Sequence, residues 1–467
     1  MDEKICIIGA GPNGLASALV AIHKGYKVTL IDPWLAYVDD VQKDSSKLLV
    51  KMNIAKKNFR GSLAMYEYPQ DKVKRNFKKD FPLSLTRGGL TSVWGANSLP
   101  WQRVAESFPN ITKHQEIISL LGKNIPIESS VTDERYSSSF VNGLIRKSRK
   151  CNYSGLKMEP SYVAINKNAC VFCGECLKGC TFQAIFNAEF TWDALIKSGR
   201  VEIIKGFANR LYLAGDSISV QYLLNEDTFS IQFDRIFIAC GAIASTSLLQ
   251  RSNLLDPEVQ LQDSQVFYSG LIKLSLKAQL QSTFNLVQAY GRIKFKSNFV
   301  HLSIYEASTI STERMLLMNR QLRFLPKNFF HRIIPIIGFL PESHSQQITL
   351  KFDGSVTEIK APTTATVGSK IQLHLTFLRN FFKFISLGVL FIPFSLKFAN
   401  VGASYHVGKL QKDGKVLLDS LGRFSAQAKI HVVDSSSLEE IRPGPITGFS
   451  MFNSALITFR ALEKVGE

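Results

Sequence analysis

The sequence has few acidic residues for its length and no apolar run long enough to cross a bilayer. It contains 38 Asp and Glu against 56 Lys and Arg, a formal net charge of +18 over 467 residues. The most apolar stretch, residues 384–396, is interrupted by Pro393 and flanked by Lys383 and Lys397, so it is too short for a transmembrane helix. The polar start, Met1-Asp-Glu-Lys, has neither the basic head nor the apolar core of a signal peptide. These absences predict a globular, cytoplasmic protein.

The surplus of basic side chains is compatible with several kinds of partner. It fits an anionic substrate, an acidic partner or an anionic membrane face, and it also fits a solvated basic surface. Nucleic acid is not expected as a partner, because no recognised nucleic-acid-binding motif accompanies the charge. The basic, aromatic stretch from Arg323 to Ile334 is compatible with peripheral membrane contact. It is also typical of a folded domain, and we favour that interpretation.

Cysteine is scarce outside one run. Four of the 7 cysteines, Cys170, Cys173, Cys176 and Cys180, follow the spacing C-x2-C-x2-C-x3-C. Thiolates are the soft ligands that iron–sulfur clusters need, and this spacing wraps a loop around a cubane. A structural zinc site usually has a second, well-separated Cys-x-x-Cys arm, which this run lacks. The run therefore predicts a [4Fe–4S] cluster and electron transfer, in preference to zinc or unligated thiols.

The sequence leaves the fourth ligand of this cluster open. In two-cluster ferredoxins the last cysteine of such a run ligates the other cluster, and this chain has only one run. Cys180 is the expected fourth ligand, and Cys151 is the alternative. Thr181 stands where ferredoxins carry proline, so the exit of the loop differs from theirs.

Residues 4–32 read as a strand, a glycine turn, a helix and a second strand. Gly9 permits the tight turn, Gly11 lets the backbone approach a pyrophosphate, and Gly14 allows close helix–strand packing. Asp32 ends the second strand at about the expected 20 residues, where it can accept hydrogen bonds from ribose hydroxyls. The combination predicts a Rossmann-like dinucleotide site, but it does not separate FAD from NAD.

Three further segments carry glycines and small polar residues in patterns that fit a flavin. The first is a loop with Gly88, Gly89, Thr91, Ser92, Trp94, Gly95 and Asn97; the second is a turn at Gly241; the third is a C-terminal pair with His406, Asp434 and Ser435. These segments resemble the flavin loop, the Ala-x-Gly-Ala turn, the active-site His-x-x-Gly segment and the Val-Asp-x-Ser contact of the glucose–methanol–choline (GMC) family of FAD-dependent oxidoreductases. More narrowly, the chain resembles GMC-like members that carry a ferredoxin-type cysteine run.

The resemblance implies FAD as the cofactor, bound by the glycines and polar residues of these motifs. It implies His406 as the catalytic acid or base, with Thr447 nearest to the position where the family commonly has a second His or Asn. The chain departs from the family there, and also at Lys409, where threonine usually follows the glycine. A lone histidine is nevertheless sufficient for proton transfer.

The implied reaction is oxidation of a CH–OH group in a small alcohol or sugar-like substrate, by hydride transfer to FAD. The cysteine run favours a dehydrogenase that passes electrons through the cluster to an external carrier, not to oxygen. A reductase working in the reverse direction and a redox-sensing flavin-binding protein remain as alternatives. A non-redox flavoenzyme such as a sugar isomerase is disfavoured, because its chemistry needs no electron relay.

The expected fold class is α/β, with a discontinuous Rossmann-like FAD/NAD(P)-binding domain, a mixed α+β substrate domain and a small iron–sulfur insertion. The nucleotide-binding domain is expected in three parts, residues 1–149, 188–263 and 401–467, the last of which carries the active-site histidine. The cysteine insertion is expected over 150–187 and the substrate domain over 264–400.

Overall fold

We describe the chain from a computed structural model. The described residues are 3–34, 73–75, 84–109, 114–174, 176, 180, 182–215, 217–224, 227–275, 284–306, 332–402, 405–424 and 429–463. Most of the basic, aromatic stretch considered above for membrane contact, residues 323–331, lies outside them. None of the helices formed by the described residues is long and apolar enough to span a membrane.

The described residues form nine α-helices and 24 strands. The helices are α1 (Pro12–His23), α2 (Trp101–Ala105), α3 (His114–Asn124), α4 (Ser139–Cys151), α5 (Ala188–Lys197), α6 (Ala242–Arg251), α7 (Val367–Arg379), α8 (Phe381–Leu387) and α9 (Thr447–Ala461). The strands are β1 (Ile5–Ile8), β2 (Val28–Ile31), β3 (Val73–Arg75), β4 (Asn97–Ser98), β5 (Glu128–Ser129), β6 (Leu156–Pro160), β7 (Tyr162–Val163), β8 (Val201–Ile204), β9 (Phe207–Ala214), β10 (Ser217–Leu224), β11 (Asp227–Phe233), β12 (Arg235–Ile238), β13 (Glu258–Asp263), β14 (Val266–Lys273), β15 (Ala289–Phe295), β16 (Asn298–Ile304), β17 (Ile333–Phe339), β18 (Gln347–Phe352), β19 (Thr357–Lys360), β20 (Val389–Phe391), β21 (Lys397–Phe398), β22 (Val407–Lys412), β23 (Lys415–Val416) and β24 (Ile430–Val432).

Five short strands form a parallel sheet in the spatial order β24-β12-β1-β2-β8. Both faces are buried, because Ile5 and Ile7 of β1 pack into one hydrophobic core while Cys6 and Ile8 pack into another. A strand buried on both faces reads as a continuous apolar run, which is why β1 is visible in the sequence. Since the strands are parallel, their carboxyl ends meet at one edge of the sheet, where open α/β sheets bind their ligands.

The rest of the chain is dominated by antiparallel sheet. A seven-stranded sheet runs in the order β20-β14-β17-β16-β15-β6, with β21 also pairing with β14. A six-stranded sheet runs β23-β22-β13-β18-β19-β3, and β9–β11 and β4-β7-β5 form two small three-stranded sheets. Strand β6 comes from the region expected to be the cysteine insertion, yet it pairs with β15 in the seven-stranded sheet. The described residues therefore have a mixed α/β fold.

Helices α4, α7 and α8 cover one face of the seven-stranded sheet. Their inner side chains, which include Leu144, Phe377 and Phe384, share a hydrophobic core with Phe267 and Leu302 of the sheet. Phe377 stacks on Phe384, with ring centroids 5.8 Å apart. The seven-stranded sheet and these helices therefore share a hydrophobic core of their own.

Candidate functional site

A cavity of about 540 Å³ opens where the carboxyl edge of the parallel sheet meets strands β14 and β17. Twelve of the residues expected to bind FAD or to act in catalysis line it: Gly9, Gly11, Asp32, Gly89, Thr91, Trp94, Gly95, Asn97, Gly241, His406, Ser435 and Thr447. The fold thus brings segments from both ends of the chain to one space. The roles of these residues stay predictions.

The three glycines of the first turn do different physical work. Gly9 has φ +106°, and a Cβ there would lie 2.5 Å from the carbonyl oxygen of Ala239. A Cβ on Gly14 would lie 2.0 Å from the carbonyl oxygen of Gly9, so Gly14 permits close helix–strand packing and does not line the cavity. A Cβ on Gly11 would meet no protein atom within 4 Å. Gly11 therefore leaves open space on the cavity wall that a ligand can approach.

Asp32 follows β2 and is buried at the cavity wall. Its carboxylate accepts hydrogen bonds from the backbone N–H groups of Ala10, at 2.8 Å, and Trp34, at 2.7 Å. Burial raises the pKa of Asp32 to about 6, although these two hydrogen bonds oppose the shift. A carboxylate has about four acceptor positions, so lone pairs remain for ribose hydroxyls.

Three helices begin at this cavity. Gly11 precedes α1, Gly241 precedes α6 and Thr447 opens α9, and all three residues line the wall. Helix N-termini carry partial positive charge and free N–H groups, and both favour a bound phosphate. The site therefore suits an anionic ligand.

Helices α1 and α9 lie side by side and parallel. Asn13 donates to Ser450 across the pair at 2.7 Å, and one turn further along Ser17 and Ser454 are 2.9 Å apart. Parallel neighbours place both positive helix ends together, which is unfavourable unless an anion offsets them. Small hydroxyl side chains allow this close approach, and the N-termini of both helices lie side by side at the cavity.

The loop before β4 is held by its own hydroxyls. Thr91 Oγ1 donates to the carbonyl oxygen of Gly88 at 2.6 Å, and Ser92 Oγ donates to that of Gly89 at 2.7 Å. Gly88 and Ser92 do not line the cavity themselves, and these hydrogen bonds give them a place in shaping the loop; their contact with FAD stays a prediction. Gly89 lies directly against the first turn, since a Cβ on it would be 3.0 Å from Gly11 Cα.

Trp94, Gly95 and Asn97 continue this wall. The indole N–H of Trp94 donates to the carbonyl oxygen of Phe186 at 2.8 Å, which fixes the ring. Asn97 donates to Ser303 Oγ at 3.0 Å. A Cβ on Gly95 would meet no protein atom within 4 Å, so this backbone is open to a planar ligand.

Asp434 does not line the cavity, and its expected contact with the flavin stays a prediction. It is fully buried and accepts hydrogen bonds from the N–H of Gly241 at 3.0 Å, from the N–H of Ser436 at 2.9 Å, and from the hydroxyl of Ser245. Burial raises its pKa. Asp434 thus ties the β12 turn to the C-terminal loop, while its neighbour Ser435 reaches the wall.

His406 and Thr447 line the same cavity. The imidazole of His406 packs on Phe339, with ring centroids 4.6 Å apart. Its backbone carbonyl accepts a hydrogen bond from the N–H of Ser264 at 3.0 Å, which anchors the start of β22. Both side chains are placed to meet a molecule bound in the cavity.

A second histidine, His301, lies behind this pair and was not singled out in the sequence. It is buried in β16, with its ring 5.8 Å from that of Phe339 and Nε2 3.3 Å from Ser303 Oγ. Burial lowers the pKa of His301 to about 3, and nearby positive charge, including His406, adds to the shift. It is therefore neutral at physiological pH. A histidine inside an apolar strand was the available signal, but its position depends on strand pairing.

The cysteine run reaches the cavity wall at Cys176. All four of its cysteines are free, and Cys180 Sγ accepts a hydrogen bond from the N–H of Ala184 at 3.2 Å. Burial raises the pKa of Cys176 to about 11, with Cys170, Cys173 and Cys180 adding to the shift, so the thiols are neighbours. Even so, no group of three or more His, Cys, Asp or Glu in the described part of the chain is arranged to hold a metal ion.

The predicted [4Fe–4S] cluster is therefore not confirmed. Thiols are the ligand type that a cluster needs, but the described sulfur positions do not form a ligand set. The alternative fourth ligand, Cys151, is exposed at the end of α4. Residues 175, 177–179 and 181, which lie within this run or directly after it, are outside the described residues.

Comparisons with known proteins bear on the fold. No protein-family model matches the chain, and no curated protein sequence matches it. Among solved structures, pyridoxine 4-oxidase from Mesorbium loti is similar over 98% of this chain and 99% of its own, with a TM-score of 0.64 and 13% identity. A formate oxidase is similar over 98% of both chains, with a TM-score of 0.64 and 12% identity.

A second formate oxidase structure, from Aspergillus oryzae RIB40 and concerned with FAD modification, gives a TM-score of 0.63 at 12% identity over 98% of both chains. The chain therefore has the fold of these oxidases over nearly its whole length. This confirms the α/β fold that the family resemblance implied.

Proposed function

We propose that the protein is a GMC-like, FAD-dependent oxidoreductase that oxidises a CH–OH group. One observation carries this proposal: the glycine turn, three helix N-termini, His406 and Thr447 all face a single cavity. The fold shared with a pyridoxine oxidase and a formate oxidase supports it. A small alcohol or sugar-like compound is the proposed substrate class.

Several groups would hold FAD. The turn at Gly9 and Gly11 and the N-terminus of α1 suit the pyrophosphate, and Asp32 suits the ribose hydroxyls. Trp94, Gly95 and the N-terminus of α9 line the part of the cavity that would hold the ring system. When bound, the flavin supplies a two-electron acceptor for hydride.

His406 would act on the substrate's hydroxyl group. Its imidazole would accept the O–H proton while hydride leaves the adjacent carbon for the flavin that the site would hold, so that an alcohol becomes a carbonyl compound. The ring of Phe339 packs against both His406 and the neutral His301, with centroids 4.6 Å and 5.8 Å away. Thr447 offers a hydroxyl on the same wall, to bind the substrate oxygen.

The test is a purification under anaerobic conditions followed by a substrate screen. We expect flavin absorbance in the purified protein, release of FAD on denaturation, and bleaching of the flavin by a member of a panel of alcohols and sugars. Hydrogen peroxide formed on readmission of oxygen would identify an oxidase, and its absence with turnover of an artificial acceptor would identify a dehydrogenase. A flavin bleached by no CH–OH compound but reoxidised by carbonyl compounds would favour the reductase, and a flavin with no turnover would favour a sensor.

A second proposal concerns electron transfer through the cysteine run. It is supported by the electrostatic proximity of the four thiols and by the position of Cys176 on the cavity wall. This proposal includes an external electron carrier. It also includes a cytoplasmic location, because free thiols and clusters persist in reducing compartments.

Iron analysis of the anaerobically purified protein tests this second proposal. We expect about four iron and four sulfide per chain, as a [4Fe–4S] cluster contains. Cys173→Ser should lower the iron content, because a serine oxygen is a poor ligand for this soft site. Cys240→Ser is the matched control, since Cys240 lies outside the run. Zinc or no metal in the wild-type protein would refute the cluster, without affecting the FAD proposal.

A further inference from the structure

Helices α7 and α8 present an apolar stripe to solvent. Phe382 is 81% exposed and Val367 71%, and four more large apolar side chains follow the same face. The full stripe is Val367, Ile371, Leu375, Leu378, Phe382 and Ile385. These positions recur at intervals of three and four residues, which is the spacing of one helix face, and they continue across the junction at Asn380. Both helices are therefore apolar on the outside as well as the inside.

This stripe is not needed to hold the helices in place. Their opposite side chains, among them Leu373, Phe377, Phe384 and Leu387, are buried in the core of the seven-stranded sheet. Continuous apolar patches of this kind are rare on monomeric proteins and mark a docking surface.

The surroundings of the stripe are basic. Residues 361–400 contain no Asp or Glu, while Lys370, Arg379 and Lys383 lie on the two helices. Helix α4 also lacks acidic residues and carries the exposed Lys147. The Nζ of Lys147 lies close to Gly388, the residue after α8, at 3.2 Å from the position that a Cβ on this glycine would occupy. Apolar side chains with Lys and Arg beside them, on helices lying along a surface, are typical of binding to anionic lipid.

We propose that α7 and α8 dock the protein on the surface of a bilayer that contains anionic phospholipid. The stripe would enter the boundary between headgroups and acyl chains, with the basic side chains among the phosphates. A second copy of the chain is a poor occupant, because self-association would bring these cations against their own counterparts. The inference does not rest on the proposed catalytic function.

The docking surface adjoins the cavity. Strand β20 and the turn after it lead from α8 to Ser395 and Lys397, both of which line the cavity wall. Lys370 of α7 lies 5.6 Å from the ring centroid of Phe398, the residue after Lys397. Docking through α7 and α8 would therefore hold this edge of the cavity near the membrane.

Vesicle flotation of the full-length, purified protein tests the proposal. We expect the protein to float with vesicles of phosphatidylcholine and phosphatidylserine, to float much less with phosphatidylcholine alone, and to be released by salt. The triple variant Ile371→Ser, Leu378→Ser, Phe382→Ser should lose more than about tenfold in partitioning, because three large apolar side chains no longer leave water. Removing Lys147 and Arg379 together should lower binding to anionic vesicles by about fivefold per cation.

The matched control is the triple variant Tyr212→Ser, Leu213→Ser, Phe229→Ser, which removes three comparably exposed side chains from the β9–β11 sheet. It should float like the wild type. The proposal is overturned if the wild type stays in solution, if both triple variants behave alike, or if vesicle-free ultracentrifugation shows a dimer that only the α7–α8 variant dissociates. Unchanged melting temperatures establish that the variants are folded.

Discussion

Alanine in place of His406 is expected to slow flavin reduction by about 10²–10⁴-fold, the usual contribution of a positioned acid or base. FAD content should stay unchanged, because His406 has no assigned role in holding the cofactor. Stopped-flow bleaching by a substrate from the screen measures the rate. The limb of the pH–rate profile that reports protonation of this base should also disappear.

The matched control is His23→Ala, which removes a solvent-exposed histidine at the end of α1 that pairs with Glu116. It should bleach at the wild-type rate. Thr447→Ala separates the two candidates on the cavity wall. If the flavin of His406→Ala is bleached at the wild-type rate and that of Thr447→Ala is bleached slowly, the proton-transfer role belongs to Thr447 at the start of α9.

Valine in place of Gly11 is expected to abolish FAD binding without unfolding the protein. The backbone of Gly11 is extended, with φ −69° and ψ −178°, so a β-branched residue can adopt it. Its Cβ would meet no protein atom within 4 Å and would instead project into the space left for the ligand. Flavin absorbance per chain should fall to the background, while circular dichroism stays that of the folded apoprotein.

Two comparisons make this result specific. Gly143→Val adds the same side chain in α4, away from the cavity and also with no protein atom within 4 Å of its Cβ, and it should keep its FAD. Gly14→Val should destabilise the fold itself, because its Cβ would lie 2.0 Å from a backbone oxygen. A full flavin complement in Gly11→Val would refute the assigned phosphate site.

The first 32 residues show how far local sequence reaches. A strand buried on both faces, a turn that only glycine can make and an apolar, alanine-rich helix are each determined by neighbours a few residues apart, so their order could be predicted. The same kind of local signal marked the glycine turn at Gly241, which follows β12. Parallel pairing then brought the strand ends to one edge.

Asp434 and Ser435 mark where prediction stopped. They are adjacent, so no local pattern could show that Ser435 lines the cavity while Asp434 is buried beneath it. The hydrogen bond from the N–H of Gly241 to Asp434 holds this arrangement. His301 was missed for a similar reason, since its proximity to His406 exists only through the pairing of β16 with β17. The cysteine spacing indicated a ligand type, but the sulfur positions depend on how that loop packs.

The sequence by itself determined the glycine turns and the acidic end of β2, because each follows from the properties of a few consecutive residues. Only the tertiary structure decided that three helix N-termini share one cavity, that α1 and α9 run parallel, and that α7 and α8 are apolar on their outer face. The physical reason is that the first two features join segments hundreds of residues apart, and the third depends on which face of α7 and α8 packs on the sheet. Their geometry is set by strand pairing and core packing, and neither is encoded in any one segment.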